Sequence, residues 1–233
     1  VKTLALAALL VSGAAAAHAD LLEVSGFGGF STLDMTQVNN SLTDFKTTPG
    51  VTETKDKGIS QGFLVGLNVK TGSLIPLPFF EVGFKGEYIG ADAPGEIAGM
   101  ESGQPYDIKE TPSLTAGMIG LDFHIGIPAT PLKVGLSVYG GYGEGLVQES
   151  MTVASAPTVT DLYDGGGFVG EAEARVDCHL YSVLSLYVFG GYRIASFGTF
   201  ADGANQKFSL SGSSAPDLNF SGTTGGGGLN FDF

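Results

Sequence analysis

The stretch Glu171-Ala172-Glu173-Ala174-Arg175-Val176-Asp177-Cys178-His179-Leu180 alternates without a break between charged or polar residues and small or apolar ones. Successive side chains of a β-strand point to opposite faces. A strand here therefore carries Glu171, Glu173, Arg175, Asp177 and His179 on one face, with Ala172, Ala174, Val176, Cys178 and Leu180 on the other. Phe80-Glu81-Val82-Gly83-Phe84-Lys85-Gly86-Glu87-Tyr88 divides the same way, Phe80, Val82, Phe84 and Tyr88 opposing Glu81, Lys85 and Glu87. Leu121-Asp122-Phe123-His124-Ile125 repeats the division. A soluble sandwich with one wet face would give this pattern too, so alternation alone leaves two architectures open.

The spacing of the segments separates them. About eight alternating stretches are long enough to hold the roughly 9 to 11 residues that a tilted strand needs to cross a bilayer. They run from Leu22 to Leu33, Gly58 to Thr71, Phe79 to Ala91, Ser113 to Ile125, Leu132 to Val147, Gly167 to Leu180, Leu186 to Phe200 and Leu218 to Phe233. The joins at Gly72 to Pro78, Gly126 to Pro131 and Tyr181 to Ser185 are short. Those at Thr36 to Lys57, Asp92 to Pro112, Glu149 to Gly166 and Asp202 to Asp217 are long and polar, and read as loops. Short turns at one end and long connections at the other predict an all-β fold, an eight-stranded antiparallel up-and-down transmembrane barrel. Closure removes the sheet edges that lipid cannot satisfy.

Composition agrees. Of 233 residues 43% are hydrophobic and only 15% charged, which excludes a disordered polyelectrolyte. Glycine, at 37 residues, is about twice its ordinary usage and shows no collagen period. An eight-stranded interior is narrow, so Gly62, Gly66, Gly83, Gly120, Gly135, Gly141, Gly143 and Gly191 are assigned to the inward face, where a side chain would crowd.

The N-terminus reads as an address. Lys2 supplies a positive start, Leu4 to Val11 an apolar run, and Ala17-His18-Ala19 a small-residue cleavage pattern, so residues 1–19 are expected to be a signal peptide and 20–233 the barrel domain. The mature chain would hold 10 basic and 24 acidic residues, about −14, which opposes nucleic acid as a partner. Cys178 is the single cysteine, so no internal disulfide forms.

Gly228-Leu229-Asn230-Phe231-Asp232-Phe233 resembles the closing-strand signal of bacterial outer-membrane proteins, and that resemblance implies that Leu229, Phe231 and Phe233 are read by the barrel assembly machinery. Tyr139-Gly140-Gly141-Tyr142-Gly143 and Phe189-Gly190-Gly191-Tyr192-Arg193 resemble the strand cores of OmpA-like and opacity-protein-like small barrels. The resemblance implies an exported, integral outer-membrane protein of a Gram-negative bacterium. Neither a peptidoglycan-binding domain after Phe233 nor a tether to the cell wall is expected.

The candidate site is the lumen. Glu81, Glu87, Asp122, Glu171, Glu173 and Asp177, with Glu23, face Lys85, Lys133, Arg175 and Arg193, with Lys70, and buried charges require partners. They are expected to form an ion-pair network that plugs the barrel, with Arg175 and Arg193 central because a guanidinium can hold more than one carboxylate. His124 and His179 fall near the short-turn ends, outside any nucleophile motif, so no catalytic residue is assigned and the two are expected to be lumen hydrogen-bonders or interfacial residues. The loop acids lack the spacing of a calcium loop, and neither a metal nor a cofactor is expected. Cys178 is placed on the lipid face, and Tyr88, Tyr142, Tyr187, Tyr192, Phe80 and Phe231 in the aromatic girdles.

These readings predict a non-enzymatic, surface-exposed structural barrel contributing to envelope integrity, or a narrow channel. A small diffusion porin and an adhesin acting through the long extracellular loops are the alternatives. Expected partners are outer-membrane lipid and lipopolysaccharide, the assembly machinery and a host or surface ligand at the loops. A closed barrel needs no second copy, so a monomer is expected.

Overall fold

The computed structural model describes residues 22–36, 39–40, 50–71, 80–154, 156–181, 183–201 and 217–233. The expected signal peptide and the short join at 72–79 lie outside them, as does most of the last long connection.

Alternation becomes strand throughout. In chain order the elements are β1 (Leu22–Thr32), β2 (Val51–Lys57), β3 (Gln61–Thr71), β4 (Phe80–Asp92), β5 (Gly95–Glu101), β6 (Gln104–Gly126), β7 (Leu132–Val153), β8 (Val159–Tyr181), β9 (Leu184–Thr199), β10 (Asp217–Asn219) and β11 (Gly222–Asp232). Eight of them close a ring in which every neighbour is antiparallel: β1, β3, β4, β6, β7, β8, β9 and β11, which pairs back onto β1. The closing seam runs from Glu23 opposite Asp232 to Ser31 opposite Thr224, and Phe233 N–H donates to Leu22 C=O at 2.9 Å just beyond it. The turn after β6 is tight, with Ile127 N–H donating to Leu132 C=O at 2.9 Å.

The faces fall as the sequence implies. Phe63, Leu67, Phe84, Ile119, Leu136, Val138, Phe168, Val188 and Ile194 all point out of the ring and are more than half exposed. So continuous a band of bare apolar side chains is foreign to a soluble monomer and suits hydrocarbon. Tyr142, Phe168 and Tyr192 rim it toward the long connections, and Tyr181, Phe231 and Phe233 toward the short turns. Cys178 takes an outward position, half-buried between neighbours.

All eight glycines assigned inward occupy lumenal positions in the strand alternation. At Gly135 a Cβ would stand 2.4 Å from His124 Nε2, and at Gly66 2.2 Å from the Phe27 ring.

Two expectations need correction. The connections at Asp92 to Pro112 and Glu149 to Gly166, read as loops, are strand: β6, β7 and β8 run well past the lipid-facing band. There β5 pairs with β6 through the Ser102-Gly103 hairpin, β2 pairs with β5, and a five-stranded sheet extends the barrel. Both hairpin residues have positive φ, +50° and +83°, the backbone such a two-residue turn requires. Their polar composition hid an alternation, Tyr106, Ile108 and Glu110 against Asp107, Lys109 and Thr111, that pairing with neighbouring strands makes regular. Secondly, the segment expected from Leu218 to Phe233 is broken. Phe220 N–H donates to Ala195 C=O at 2.7 Å, and Ala195 N–H donates to Ser221 Oγ at 2.9 Å, so β10 ends before β11 begins.

Candidate functional site: the closed lumen

Strand parity carries every charged residue proposed for the lumen to the inner face, where two separate groups and a rim pair form. Nearest the short turns, His124 of β6 bridges two aspartates: its Nδ1 lies 2.8 Å from Asp122 Oδ2 and its Nε2 3.1 Å from Asp177 Oδ2 of β8. Lys70 of β3 reaches Asp122 at 2.9 Å and the same His124 Nδ1 at 2.8 Å. Ser137 Oγ donates to Asp122 Oδ1 at 2.5 Å. Arg175 grips Asp177 with Nε and Nη2, reaches Glu23 at 3.4 Å, and lies over the Tyr187 ring with its guanidinium carbon 4.1 Å from the centroid. Asn230 Nδ2 donates to Asp177 at 2.9 Å, tying the last barrel strand into the group.

The second group lies further along the barrel. Lys85 Nζ stands 3.2 Å from Glu173, 3.9 Å from Glu87 and 4.9 Å from the centre of the Tyr139 ring. Arg193 Nε donates to Glu171 Oε2 at 3.0 Å, and Thr224 Oγ donates to Glu171 Oε1 at 2.7 Å. Glu81 and Lys133 pair at 2.8 Å at the rim, about one-third exposed, and Glu81 also reaches the buried Lys70 at 3.9 Å, which joins the rim pair to the first group. Arg175 and Arg193 thus hold different carboxylates and serve separate groups, not a single centre. Pleat explains this: both point inward, but the strand register sets Arg193 opposite Glu171 and Arg175 opposite Phe189.

Tyr187, expected in a girdle, is 3% exposed inside the lumen. It shares parity with Ser185 and Phe189 and gives Arg175 a ring to rest on. The Phe80 side chain lies outside what the structure describes. Of the two places open to His124, lumen hydrogen-bonder or interfacial residue, the structure takes the first, and its alternation with Phe123 and Ile125 had marked it as inward.

Toward the long connections the inner face keeps its parity but changes chemistry. Phe27 meets Phe189 edge to face at 5.2 Å. Beyond them Leu64, Ile89, Leu114, Met118 and Val169 are buried, and Phe197, Phe200 and Phe220 stack with ring centres 5.4 to 6.3 Å apart. Leu33, Met35, Ile59, Ile97 and Leu218 close over this group. The aromatic plug was not foreseen, because Phe200 and Phe220 belong to strand ends and connections that parity does not assign.

Arg193 and Phe200 are 0% exposed and Lys85 and Phe197 1%, so these side chains, in both halves of the lumen, are out of contact with solvent. At the short-turn mouth a cavity of about 20 Å³ lies among Lys70, Glu81, His124, His179, Ser185 and Asp232, room for about one water. There Ser185 Oγ sits 2.5 Å from His179 Nδ1, and His179 Nε2 3.8 Å from Asp232. Among the described residues no three His, Cys, Asp or Glu side chains are grouped to hold a metal ion.

No protein-family model matches the sequence, and no curated protein matches it. Solved structures do. The outer membrane protease OmpT of Escherichia coli aligns over 93% of this chain and 98% of its own, at 10% identity and a TM-score of 0.51. The fold is that of a bacterial outer-membrane barrel. Ail, the attachment invasion locus protein of Yersinia pestis, aligns over 90% of this chain and 99% of its own, with 13% identity and a TM-score of 0.45. For Neisserial surface protein A the figures are 91%, 96%, 9% and 0.38. At such identities the likeness concerns the fold and nothing finer.

Proposed function

We propose that this chain is a non-conducting, non-enzymatic barrel of a bacterial outer membrane. Its lumen is structural, its short turns face the periplasm, and its long strand extension stands outside the cell. One observation carries the reading: the aromatic plug lies in series with a paired charge network, so an ion meets an apolar barrier even if the ion pairs rearrange. The Ser185, His179 and Asp232 grouping does not favour hydrolysis, because the serine is buried beside a cavity with room for one water and no acyl group. Export by residues 1–19, recognition of the outward-facing Leu229, Phe231 and Phe233 by the assembly machinery, and a monomeric state belong to the same proposal.

Conductance tests it. Residues 20 to 233, refolded in detergent and checked by heat-dependent gel migration, should insert into a planar bilayer and pass no unitary current. Steady currents whose size changes in Arg193→Ala would overturn the reading in favour of a diffusion porin. A second reading, surface contact, is favoured by the five-stranded extension, which projects ordered side chains beyond the lipid band. Replacing residues 95–110 by a short turn should then abolish adhesion to cells or matrix, and unchanged adhesion removes that hairpin as the contact.

A further inference from the structure

The inner face of the extension is apolar. Ile97, Ile108 and Val147 are buried on it, with Met151 and Val153 packed against them. Amid these residues stands Glu110, 2% exposed, both of its carboxylate oxygens buried and neither with a hydrogen-bond partner. A buried carboxylate without a partner is costly to keep ionised.

Its neighbours make ionisation harder. Glu110 of β6 lies directly opposite Glu149 of β7, which lies directly opposite Asp161 of β8, so three carboxylates stand abreast on one face. Like charges so placed repel. On the other flank β5 offers Gly95, which brings no charge. The lysines of the sheet face away: Lys55 and Lys109 reach Glu96, Lys109 also reaches Asp107 at 3.1 Å, and Lys57 lines a depression with Glu96 and Lys109. Burial first, and the Glu149 charge second, push the Glu110 carboxyl up to about 8. Burial and Asp161 raise Glu149 as well.

We propose that Glu110 is a proton-operated clasp: protonated it holds the extracellular sheet closed, and ionised it lets the sheet open. The proposal stands on the extension alone and does not depend on whether the lumen conducts. An opened sheet returns Glu110 to the ordinary carboxylate value of 4.5, whereas the closed sheet holds the proton to about 8. Between those limits the closed form carries one proton more than the open form. Closure is therefore fully favoured below the lower limit and is lost as pH rises to the upper one, by about tenfold in the opening constant per pH unit. Above the upper limit the dependence ends.

Hydrogen exchange read by mass spectrometry on the refolded barrel, corrected for the intrinsic pH dependence of exchange, measures this opening. From pH 5 to pH 8, peptides covering residues 95–112 and 145–163 should open up to about a thousandfold more, while the lipid-facing segments stay constant. Glu110→Gln, shown to fold by heat-dependent gel migration, should lose the pH dependence and stay closed at pH 8. Equal protection of the wild type at both pH values would overturn the proposal, as would an unchanged pH slope in Glu110→Gln. Restoration of wild-type closure at pH 8 by millimolar calcium would overturn it too, since a divalent cation rather than a proton would then be the ligand.

Discussion

Replacing Arg193 by methionine should expose how the lumen balances charge. Arg193 is 0% exposed; its Nε donates to Glu171 at 3.0 Å, while both Nη atoms are buried without a hydrogen-bond partner. At that separation and an effective dielectric near 20 the attraction is about 5 kcal/mol. Removing one member of a buried pair costs about 3–5 kcal/mol, because the other charge stays behind. Arg193→Met and Glu171→Gln should each destabilise the barrel by about that much. The double variant should fall within about 1 kcal/mol of wild type or exceed it, since the two bare Nη groups leave the desolvation of the arginine incompletely matched. Equilibrium urea unfolding from lipid vesicles, followed by gel mobility and tyrosine fluorescence, supplies the four corners of a double-mutant cycle. Single variants costing under about 1 kcal/mol, or a double variant whose loss is the sum of the two, would refute the view that burial makes this pair interdependent.

Other perturbations test other parts of the structure. Gly120→Ala sets a Cβ 1.9 Å from the Val138 carbonyl oxygen, whereas at Gly198 nothing lies within 4 Å. Refolding yield should collapse or stability fall by about 1–3 kcal/mol in the first and stay nearly unchanged in the second; equal behaviour would contradict the tight lumen. Val138→Arg, on the lipid face at 59% exposure, should cost about 2–4 kcal/mol in vesicles, and Leu162→Arg, at 52% but above the band, about 0–1. Comparable costs would place the bilayer wrongly. Alanine in place of both Phe200 and Phe220 should loosen the extracellular sheet in hydrogen exchange while the lipid-facing strands keep their protection, and uniform loss of protection would show that the plug supports the whole barrel.

How much of this was legible follows from which signals are local. Strand parity is local, so Glu171 to Leu180 disclosed both faces of β8, and the same rule carried each of the ten proposed network residues to the inner face. Partner choice is not local: Lys70, Asp122, His124 and Asp177 come from β3, β6 and β8 and meet only because the ring closes. The extension was misread because its residues obey alternation with a polar outer face, as in Lys109 and Thr111, which looks like a loop until β2 and β5 supply the pairing. Tyr187 was misplaced by letting residue type outrank parity. Its neighbours Ser185 and Phe189 share the inward face, and a tyrosine can serve a lumenal arginine as readily as a lipid headgroup.

The two-part lumen also follows from where water can be expelled. Side chains such as Leu136 and Val138 face hydrocarbon, so their burial in protein contributes nothing to holding the barrel shut. Within the lipid band the strands must instead be bound to one another across the lumen, and the paired charges of seven strands do this with directional contacts. Beyond the band, the surroundings are aqueous and the hydrophobic effect operates again. Phe197, Phe200 and Phe220 are fully buried in such positions, which is worth about 1.5–3 kcal/mol apiece relative to exposure. An apolar plug is accordingly placed where apolar burial stabilises, and a charged network where it does not. The buried, unpartnered carboxyl of Glu110 departs from that rule on the apolar side, and a buried polar group of that kind calls for an explanation, which a proton-operated opening of the sheet supplies.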